Sequence, residues 1–486
     1  MTAVTVGSAA APATFGQVPD GISGGPGLSL ALGELAGYAR DLSRADGCTR
    51  PVRLAGRIDA IDLATGEVRP MYDTGDEPGG VLFKPCGNRR ESVCPPCSAV
   101  YKQDARQLVK AGLAGGKGIP ETISEHPCVF ATLTAPSFGP VHSARRRNGR
   151  LLPCRPRRDA NQRRCPHGRD ISCGQRHQDD DPQLGRPLCE DCHDYQGAVL
   201  FNACAGELWR RFTTYLPRHL ARRLGITQKQ LRKQVTVRYV KVAEYQLRGV
   251  VHFHAVIRLD GRGEGYQPPP PGYTANLICE AIRQAAAAVR LVLGPEPGHP
   301  DIPALRLGFG AQTDPRPIRH HNSTGQQLTV QVVANYIAKY ATKTLTAPGL
   351  PGHRLRDSAA IEALSCSRHY QRMIATAWRL GRPSACGEQL RRWAHMLGFG
   401  GHFLTKSRRY SVTFGQLRKA RTEHRRAHNH PAGERDPWGR PLDDSVVLVV
   451  GAWSVTGIGY TTNAEADLAM AAAARARDHD PPLQAA

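Results

Sequence analysis

The sequence has no apolar run long enough to cross a membrane. Its longest runs, such as Val446 to Val450, fall far short of the roughly 20 residues that a bilayer span requires. Positive charge is also missing from the start of the chain, where the first basic residue is Arg40, so the charged region of a secretory signal is lacking. We therefore expect a cytoplasmic protein without a membrane partner.

Acidic residues are few relative to basic ones, with 42 Asp and Glu against 65 Lys and Arg, which gives a formal net charge of +23. Lysine is scarce as well, because only 11 of the basic residues are lysines. Such a positive charge is atypical of metabolic enzymes. It favours nucleic acid as the partner, since each phosphate that a basic side chain neutralises releases a counterion.

The chain has 486 residues and 40% hydrophobic residues, enough for several folded domains of about 150 residues each. Changes in composition predict five regions. They are a flexible tail (1–27), an N-terminal helix with a cysteine module (28–118), a mixed domain (126–350) with a polar insertion (140–195), a helical basic region (351–430), and a strand with an Ala-rich tail (431–486).

Periodicity places the main elements within these regions. Alternating or β-rich segments predict strands over 129–134, 235–246, 250–259 and 445–450. Helical spacing predicts helices over 28–44, 104–113, 198–224 with a kink or break at Pro217, 277–293 and 331–344, and at least one more between 358 and 393. The Gly-rich segment 112–118 departs from the phosphate-loop pattern, so we expect no ATP site.

Cysteine spacing indicates structural zinc rather than disulfides. Fourteen cysteines in a chain without an export signal favour metal ligation. Cys94-Pro-Pro-Cys97 has the spacing with which two thiolates bind one tetrahedral ion, and Cys86 and Cys48 are the candidate partners. The alternative is a set of buried, unliganded cysteines.

A second, denser cluster lies in the insertion. Cys165, Cys173, Cys189 and Cys192 are its candidate zinc ligands, and His167 or His177 can replace a thiolate. The fourth ligand stays open from the sequence alone. Both clusters would hold together loops that have no core of their own.

Two histidines in a strand form a candidate site for a catalytic metal. His252 and His254 are two residues apart in a predicted strand, so they share one face while Phe253 points to the other. Two imidazoles on one face can bind one divalent ion. Without further support, however, such a pair is more often two ordinary sheet histidines.

The preceding turn decides which residue lies across from His252. If residues 247–249 form a three-residue hairpin loop with Gly249 in the left-handed conformation, Glu244 lies directly opposite and can serve as a third ligand. A two-residue loop would place Tyr245 there instead.

A tyrosine pair downstream strengthens the catalytic interpretation. Tyr336 and Tyr340 are one helical turn apart and share a face. Each is followed three residues later by a lysine, Lys339 and Lys343, in a chain where lysine is scarce. Paired helical tyrosines alone are more often structural, but together with the histidine pair and the net charge they favour catalysis.

These motifs, in this order, resemble those of the HUH endonucleases. That family is named for two histidines flanking a hydrophobic residue, matched by His252-Phe253-His254, and it has a tyrosine followed by a lysine, matched by Tyr336/Lys339 and Tyr340/Lys343. Segments 130–142, 189–195 and 206–212 are similar to rolling-circle replication initiators of actinomycete plasmids and integrative elements. The similarity extends from Cys48 to roughly residue 460.

The resemblance implies an α+β fold. Its central antiparallel sheet, an HUH or RRM-like palm, would have flanking helices and two small zinc-binding modules. The histidines would lie on a middle strand, and the tyrosine helix would pack against the sheet.

The resemblance also implies a chemistry. His252, His254 and Glu244 would bind Mg²⁺ or Mn²⁺, an ion suited to this ligand set. Attack by Tyr336 or Tyr340, with help from Lys339 or Lys343, would leave a 5′-phosphotyrosine and free a 3′-OH for a polymerase. The implied partners are a single-stranded or cruciform plasmid origin and a host helicase and DNA polymerase.

Runs of arginine are candidate contacts to the DNA backbone, although any one run can instead be a solvated charged face. The candidates are Arg145, Arg146, Arg147, Arg157, Arg158, Arg408 and Arg409. Two other interpretations remain open. One is a rolling-circle transposase with two tyrosines, and the other is a zinc-dependent DNA-binding regulator without catalysis.

Overall fold

A computed structural model describes residues 42–77, 79–157, 164–294, 304–318, 329–343, 349–381, 389–429, 436–440 and 447–479. They form two compact units, one from the described residues of 42–86 and 436–479 and the other from those of 87–429. The tail expected over 1–27, most of the helix expected over 28–44, and Arg158 lie outside the described residues.

The strands in the described part of the chain are β1 (Val52–Asp62), β2 (Val68–Asp73), β3 (Leu82–Lys84), β4 (Cys128–Leu133), β5 (Arg145–Arg147), β6 (Arg150–Leu152), β7 (Val235–Tyr245), β8 (Val251–Gly261), β9 (Leu291–Leu293), β10 (Leu305–Leu307), β11 (Thr313–Pro317), β12 (Leu404–Lys406) and β13 (Val447–Ile458). The α-helices there are α1 (Pro95–Ala114), α2 (Tyr195–Arg223), α3 (Gln228–Gln234), α4 (Ala275–Ala288), α5 (Val330–Thr342), α6 (Ala359–Glu362), α7 (Arg368–Leu380), α8 (Gln389–Arg392), α9 (Phe414–Asn429) and α10 (Asn463–His479).

The first unit is an antiparallel sheet that joins segments distant in sequence. On one edge, strand β1 pairs with β3 through residues 52–54 and with β2 through residues 57–61. On the other edge it pairs with β13 along its whole length, from Val52 opposite Ile458 to Asp62 opposite Val447. The strand expected over 445–450 is therefore longer than its apolar run, because the pairing with β1 continues past Gly451.

The second unit is built on a five-stranded antiparallel sheet in the order β11-β4-β8-β7-β12. The strand that carries His252 and His254, β8, is the middle one. Neighbours pair with it on both edges, and side chains cover both of its faces. The fold is thus mixed α+β with antiparallel sheets, as expected.

Residues alternate between two cores on the two faces of this sheet, as a pleated strand requires. Phe253 and Ala255 of β8 lie in a large core that includes the inner faces of α2, α4 and α7. Val256 of β8 lies in a second core with the apolar faces of α1 and α5. The histidines share the face of the second core, so they point toward α5.

Several helix boundaries differ from the sequence expectation. Helix α2 continues through Pro217 without a break, and α4 ends at Ala288 because the next residues form β9, which pairs with β10. Strand β12, from the expected helical region 351–430, joins the central sheet beside β7. No helix among the described residues is long and apolar enough to span a membrane.

Candidate metal and tyrosine site

The hairpin between β7 and β8 aligns the acidic residue with the histidines. The amide of Gln246 donates to Val250 and the amide of Gly249 donates to Gln246, so residues 247–249 form the loop. Gly249 has a φ of +77°, the left-handed conformation expected for a three-residue loop. Glu244 consequently lies opposite His252, as the three-residue alternative predicted.

Three donor atoms meet at one point on this face of the sheet. Nε2 of His252 and Nε2 of His254 each lie 2.9 Å from Oε2 of Glu244. The three side chains place their ligand atoms within 4.8 Å of one another. Two strands of one hairpin therefore supply two imidazoles and a carboxylate in a spacing that suits a single divalent ion.

Neighbours of His254 fix the orientation of its ring. Thr132, directly opposite it on β4, places Oγ1 3.0 Å from Nδ1 of His254. Phe130 stacks against the same ring at a centroid distance of 5.7 Å and an interplanar angle of 6°. Because Nδ1 is occupied by Thr132, Nε2 is the nitrogen that faces the site.

Helix α5 brings both tyrosines to the histidines. The hydroxyl oxygen of Tyr336 lies 3.2 Å from Nε2 of His254. The Tyr340 ring lies 4.5 Å from the Tyr336 ring and 5.6 Å from the His254 ring, measured between centroids. Val333 and Ile337, on the adjoining part of the helix surface, are buried in the second core, and Tyr336 and Tyr340 pack against the same core, so this side of α5 faces the sheet.

The two lysines that follow the tyrosines differ in their contacts. Nζ of Lys343 lies 3.8 Å from Oε1 of Glu244 and 5.3 Å from the centre of the Tyr340 ring. Nζ of Lys339 lies 5.8 Å from the same ring centre. Lys343 thus reaches the carboxylate of the site.

Burial and neighbouring groups together shift the pKa values of the ionisable side chains in the site. Burial raises the pKa of Glu244, but hydrogen bonds with His252 and His254 outweigh burial and lower the pKa to about 2. Burial lowers the pKa of His254 despite its contact with Glu244. Burial, followed by the proximity of Tyr340 and Glu244, raises the pKa of Tyr336 well above its ordinary value. A phenol with a raised pKa is a weak nucleophile unless a nearby cation stabilises its anion.

The donor set fits a divalent ion. Nε2 of His254 offers a single proton or a single lone pair, yet it lies within 3.2 Å of both the Glu244 carboxylate and the Tyr336 hydroxyl. A cation at this junction would bind both imidazoles through lone pairs and would also offset the carboxylate charge. Two imidazoles with one carboxylate suit Mn²⁺ by ligand type.

Comparison with known proteins gives this geometry a context. A family model described as "RepSA: Replication initiator protein, pSAM2" matches residues 34–474. A replication initiator protein of Streptomyces ambofaciens is similar to the chain, with 42% identity over 441 residues and coverage of 89% of each chain. The chain belongs to this family of replication initiator proteins. No solved structure matches it.

In this replication initiator, the insertion contains two groups of potential zinc ligands in place of the expected single one. Cys165, His167, Cys189 and Cys192 form one group, with ligand atoms within 4.8 Å of one another. His167 is thus placed where the sequence analysis proposed a fourth cysteine. Cys/His clusters of this kind can hold zinc.

Cys173 is the cysteine that the sequence analysis grouped wrongly. Its ligand atom lies with those of His142, Cys154 and His177. The physical reason is a backbone bridge between Cys173 and Arg155, whose two hydrogen bonds of 2.8 Å hold Cys173 beside Cys154. Proximity in sequence to Cys165 had suggested the other group.

The cysteines expected in the first zinc module belong to two units. Cys94 is the N-cap residue of α1, and Cys97 lies in the first turn of that helix. In the first unit, the amide of Cys86 lies 3.3 Å from Sγ of Cys48. The four-cysteine site predicted from the sequence draws on both units and stays a prediction.

The arginines proposed to contact DNA are exposed wherever the structure describes them. Arg145, Arg146 and Arg147 form β5, while Arg408 and Arg409 follow β12. Arg157 is exposed and forms an ion pair of 2.9 Å with Asp170. The replication initiator therefore presents these charges to solvent, and their contact with DNA stays a prediction.

Sequence reasoning missed Thr132, His142 and Cys154. Thr132 lies in the segment Thr-Leu-Thr, which was identified as a strand, but its place beside His254 depends on the register between β4 and β8. His142 and Cys154 lack the two-residue spacing of a zinc knuckle, so no local signal marked them as ligands.

Proposed function

We propose that this replication initiator nicks and rejoins one DNA strand at a plasmid origin through a 5′-phosphotyrosine intermediate, as in rolling-circle replication. The 3′-OH that is freed would prime synthesis by a host polymerase after a host helicase opens the duplex. The protein would act in the cytoplasm, on plasmid DNA presented as a single strand or a cruciform.

The observation that carries this proposal is the 3.2 Å distance between the Tyr336 hydroxyl and Nε2 of His254. It joins the two motifs that lie 82 residues apart in the chain. A nucleophile and a metal-ligand group at one point form an arrangement suited to phosphoryl transfer. Tyr336 is accordingly the better candidate for the first nick, with Tyr340 beside it.

The chemistry follows from the residues around this point. The Tyr336 oxygen would attack the scissile phosphorus, and the bond from phosphorus to the 3′ oxygen would break. The phenol would lose its proton, and the 3′ oxygen would gain one. His252, His254 and Glu244 would hold Mg²⁺ or Mn²⁺, which supplies Lewis-acid polarisation of the phosphate when bound. Lys343 would offset negative charge near Tyr340.

The second tyrosine gives the site the capacity for two strand transfers. The first covalent link conserves the phosphodiester energy, so the reaction would need no ATP. Tyr340 lies on the same face of α5 as Tyr336, where it could attack a regenerated origin at termination while Tyr336 still carries the first strand.

The test is a nicking assay with supercoiled plasmid that carries the origin, in Mg²⁺ or Mn²⁺. Wild-type protein should yield open circles with protein covalently attached to the 5′ end. Tyr336→Phe should remove the first covalent product, whereas Tyr215→Phe, which makes the same chemical change on α2, should not. Persistent nicking by the double variant Tyr336→Phe/Tyr340→Phe would indicate hydrolysis by water and reject the proposal.

The same assay separates the alternatives. A zinc-dependent regulator without catalysis would leave the plasmid closed at every metal concentration. A two-tyrosine transposase would cut at the ends of a mobile element in preference to the origin. The family match to replication initiators favours the origin as the substrate.

A further inference from the structure

A group of four side chains in the insertion lies outside the site of the proposed nicking reaction. Nδ1 of His142 lies 3.1 Å from Nε2 of His177, and Sγ of Cys173 lies 3.4 Å from the same Nε2. Together with Cys154, these side chains place all four ligand atoms within 4.8 Å of one another.

These separations fit the edges of a tetrahedron around one zinc ion. Zinc bonds of about 2.0–2.1 Å to nitrogen and about 2.3 Å to sulfur, at tetrahedral angles, place ligand atoms roughly 3.3–3.8 Å apart. The distances of 3.1 and 3.4 Å are close to that range. Two thiols and two imidazoles also form one of the ligand sets typical of structural zinc.

The surroundings of His177 are also those of a zinc ligand. Its Nδ1 lies 2.7 Å from Oδ2 of Asp181, and a carboxylate can only accept, so Nδ1 donates to it. The other ring nitrogen, Nε2, is then the one that faces Nδ1 of His142 and Sγ of Cys173. A carboxylate behind the imidazole is the usual support of a metal-bound histidine. His177 and Cys154 are 2% and 1% exposed, whereas His142 and Cys173 are partly exposed.

The four residues lie at the base of a short hairpin. His142 precedes β5 and Cys154 follows β6, while Asn148 and Gly149, both with positive φ, form the turn between these strands. Strands β5 and β6 have three residues each and, among the described residues, pair only with each other. A two-stranded hairpin of this size is marginally stable in water without further support.

We propose that His142, Cys154, Cys173 and His177 form a zinc site that closes the base of the β5–β6 hairpin and makes the hairpin a rigid contact to the DNA backbone. The hairpin exposes Arg145, Arg146, Arg147 and Arg150 within six residues of chain. Fixing them in place lowers the entropy lost when they bind phosphates. The DNA-binding part of this inference rests on the proposed function, whereas the zinc site does not.

Zinc content of the purified full-length protein tests the metal site. Cys154→Ser should lower the zinc content by one ion per chain, as should Cys165→Ser at the neighbouring cluster, and the double variant should lose two. Cys366→Ser, a cysteine outside all the clusters, is the matched control and should lose none. An unchanged zinc content in Cys154→Ser would overturn the proposal.

A ligand exchange tests the site in case Cys154→Ser fails to fold. Cys173→His keeps four ligands but removes one thiolate, so the variant should retain its metal. With Co²⁺ in place of zinc, its thiolate-to-metal charge-transfer absorption should be weaker than that of the wild type. Absorption equal to that of the wild type would show that Cys173 is not a ligand and would reject the site.

The salt dependence of DNA binding tests the role of the hairpin. For a single-stranded oligonucleotide, Arg147→Ala/Arg150→Ala should reduce the slope of log affinity against log salt by roughly 1.4, or about 0.7 for each lost phosphate contact. Cys154→Ser should also lower the affinity for the oligonucleotide. Arg306→Ala, which makes the same substitution at another exposed arginine, is the control. An unaltered slope in the double arginine variant would exclude the hairpin as a DNA contact.

The outcomes distinguish this inference from the proposed function. Loss of one zinc ion from Cys154→Ser supports the metal site even if the wild-type protein leaves plasmids closed. Conversely, the wild-type protein could nick DNA covalently while Cys154→Ser leaves the zinc content unchanged. That result would support the proposed function and reject the new zinc site.

Discussion

Glu244 lies directly across from His252 in the β7–β8 hairpin, and one oxygen of its carboxylate is 2.9 Å from Nε2 of that histidine. The same oxygen is also 2.9 Å from Nε2 of His254. The carboxylate thus links the two imidazoles, and the turn at Gly249 determines that this residue, not Tyr245, occupies the position.

Replacing Glu244 by Gln should weaken binding of the divalent ion proposed for this site. The amide preserves the size of the side chain but removes the negative charge, so we expect the affinity for Mn²⁺ to fall by roughly 10–100-fold or more. Loss of a residue that only hydrogen-bonds to a metal ligand already has an effect of that size. Mn²⁺ titration followed by electron paramagnetic resonance measures it. Glu207→Gln on α2 is the control, and equal affinity in Glu244→Gln and wild type would contradict a metal site here.

Lys343 should matter more to nicking than Lys339. Of the two lysines, Lys343 has the ion pair with Glu244, with Nζ 3.8 Å from Oε1, so its charge would act closer to the proposed reacting groups. We expect Lys343→Ala to reduce the nicking rate by roughly 100-fold, the lower end of the range seen for loss of one oxyanion-hole donor, and Lys339→Ala to have a smaller effect. Single-turnover nicking at saturating Mg²⁺ compares the two, and the reverse order would refute the assignment.

Asn202 should stabilise the hairpin that positions the site. Its side chain is fully buried, its amide nitrogen donates to the carbonyls of Gly249 and Leu397, and its oxygen accepts from the amide of Val251. Asn202→Ala leaves three buried backbone groups unpaired, at a cost of about 1–3 kcal/mol each. Chemical denaturation should show a loss of roughly 3 kcal/mol or more. Thr214→Ala, at an exposed position of the same helix, should change the free energy of unfolding by less than about 0.5 kcal/mol.

A buried ion pair on β8 should make the stability of the second unit depend on pH in the acidic range. Arg258 is fully buried, and its guanidinium donates to both carboxylate oxygens of Asp260, which also lies near His126 and Arg238. Burial raises the pKa of Asp260, but its partners His126 and Arg258 prevail, so the net pKa is below the ordinary value of 3.8. A lowered folded-state pKa means that the stabilisation is complete above pH 3.8 and is lost as the pH falls through the folded-state value.

Asp260→Asn tests this dependence. It leaves the Arg258 charge buried without its partner, so the free energy of unfolding should drop by roughly 3–5 kcal/mol at neutral pH. Denaturation curves measured from pH 7 downward should show a constant difference in the free energy of unfolding between Asp260→Asn and wild type. This difference should shrink only in strong acid, where Asp260 of the wild type becomes protonated. Asp314→Asn, at an exposed ion pair, should have little effect at any pH. A difference that already narrows near neutral pH would contradict the assignment.

The local elements of the site were largely predictable. Alternation identified the strands that became β7 and β8, and helical spacing placed Tyr336 and Tyr340 on one face of the helix that became α5. A glycine in the loop favoured the register that pairs Glu244 with His252, because a left-handed residue completes a three-residue turn. These features depend on neighbours within a few residues.

The amino-acid sequence was enough to give the residue types of the site, the net positive charge, and a hairpin whose loop length left either Glu244 or Tyr245 opposite His252. The folded chain was needed to show that Glu244 is the residue opposite His252, that Tyr336 reaches His254, that Thr132 orients His254, and that Cys173 lies with Cys154 rather than Cys165. The reason is that all but the first of these contacts join segments far apart in the chain. Their distances are set by the order of strands in the sheet and by the packing of helices on its faces, and local spacing carries no information about either.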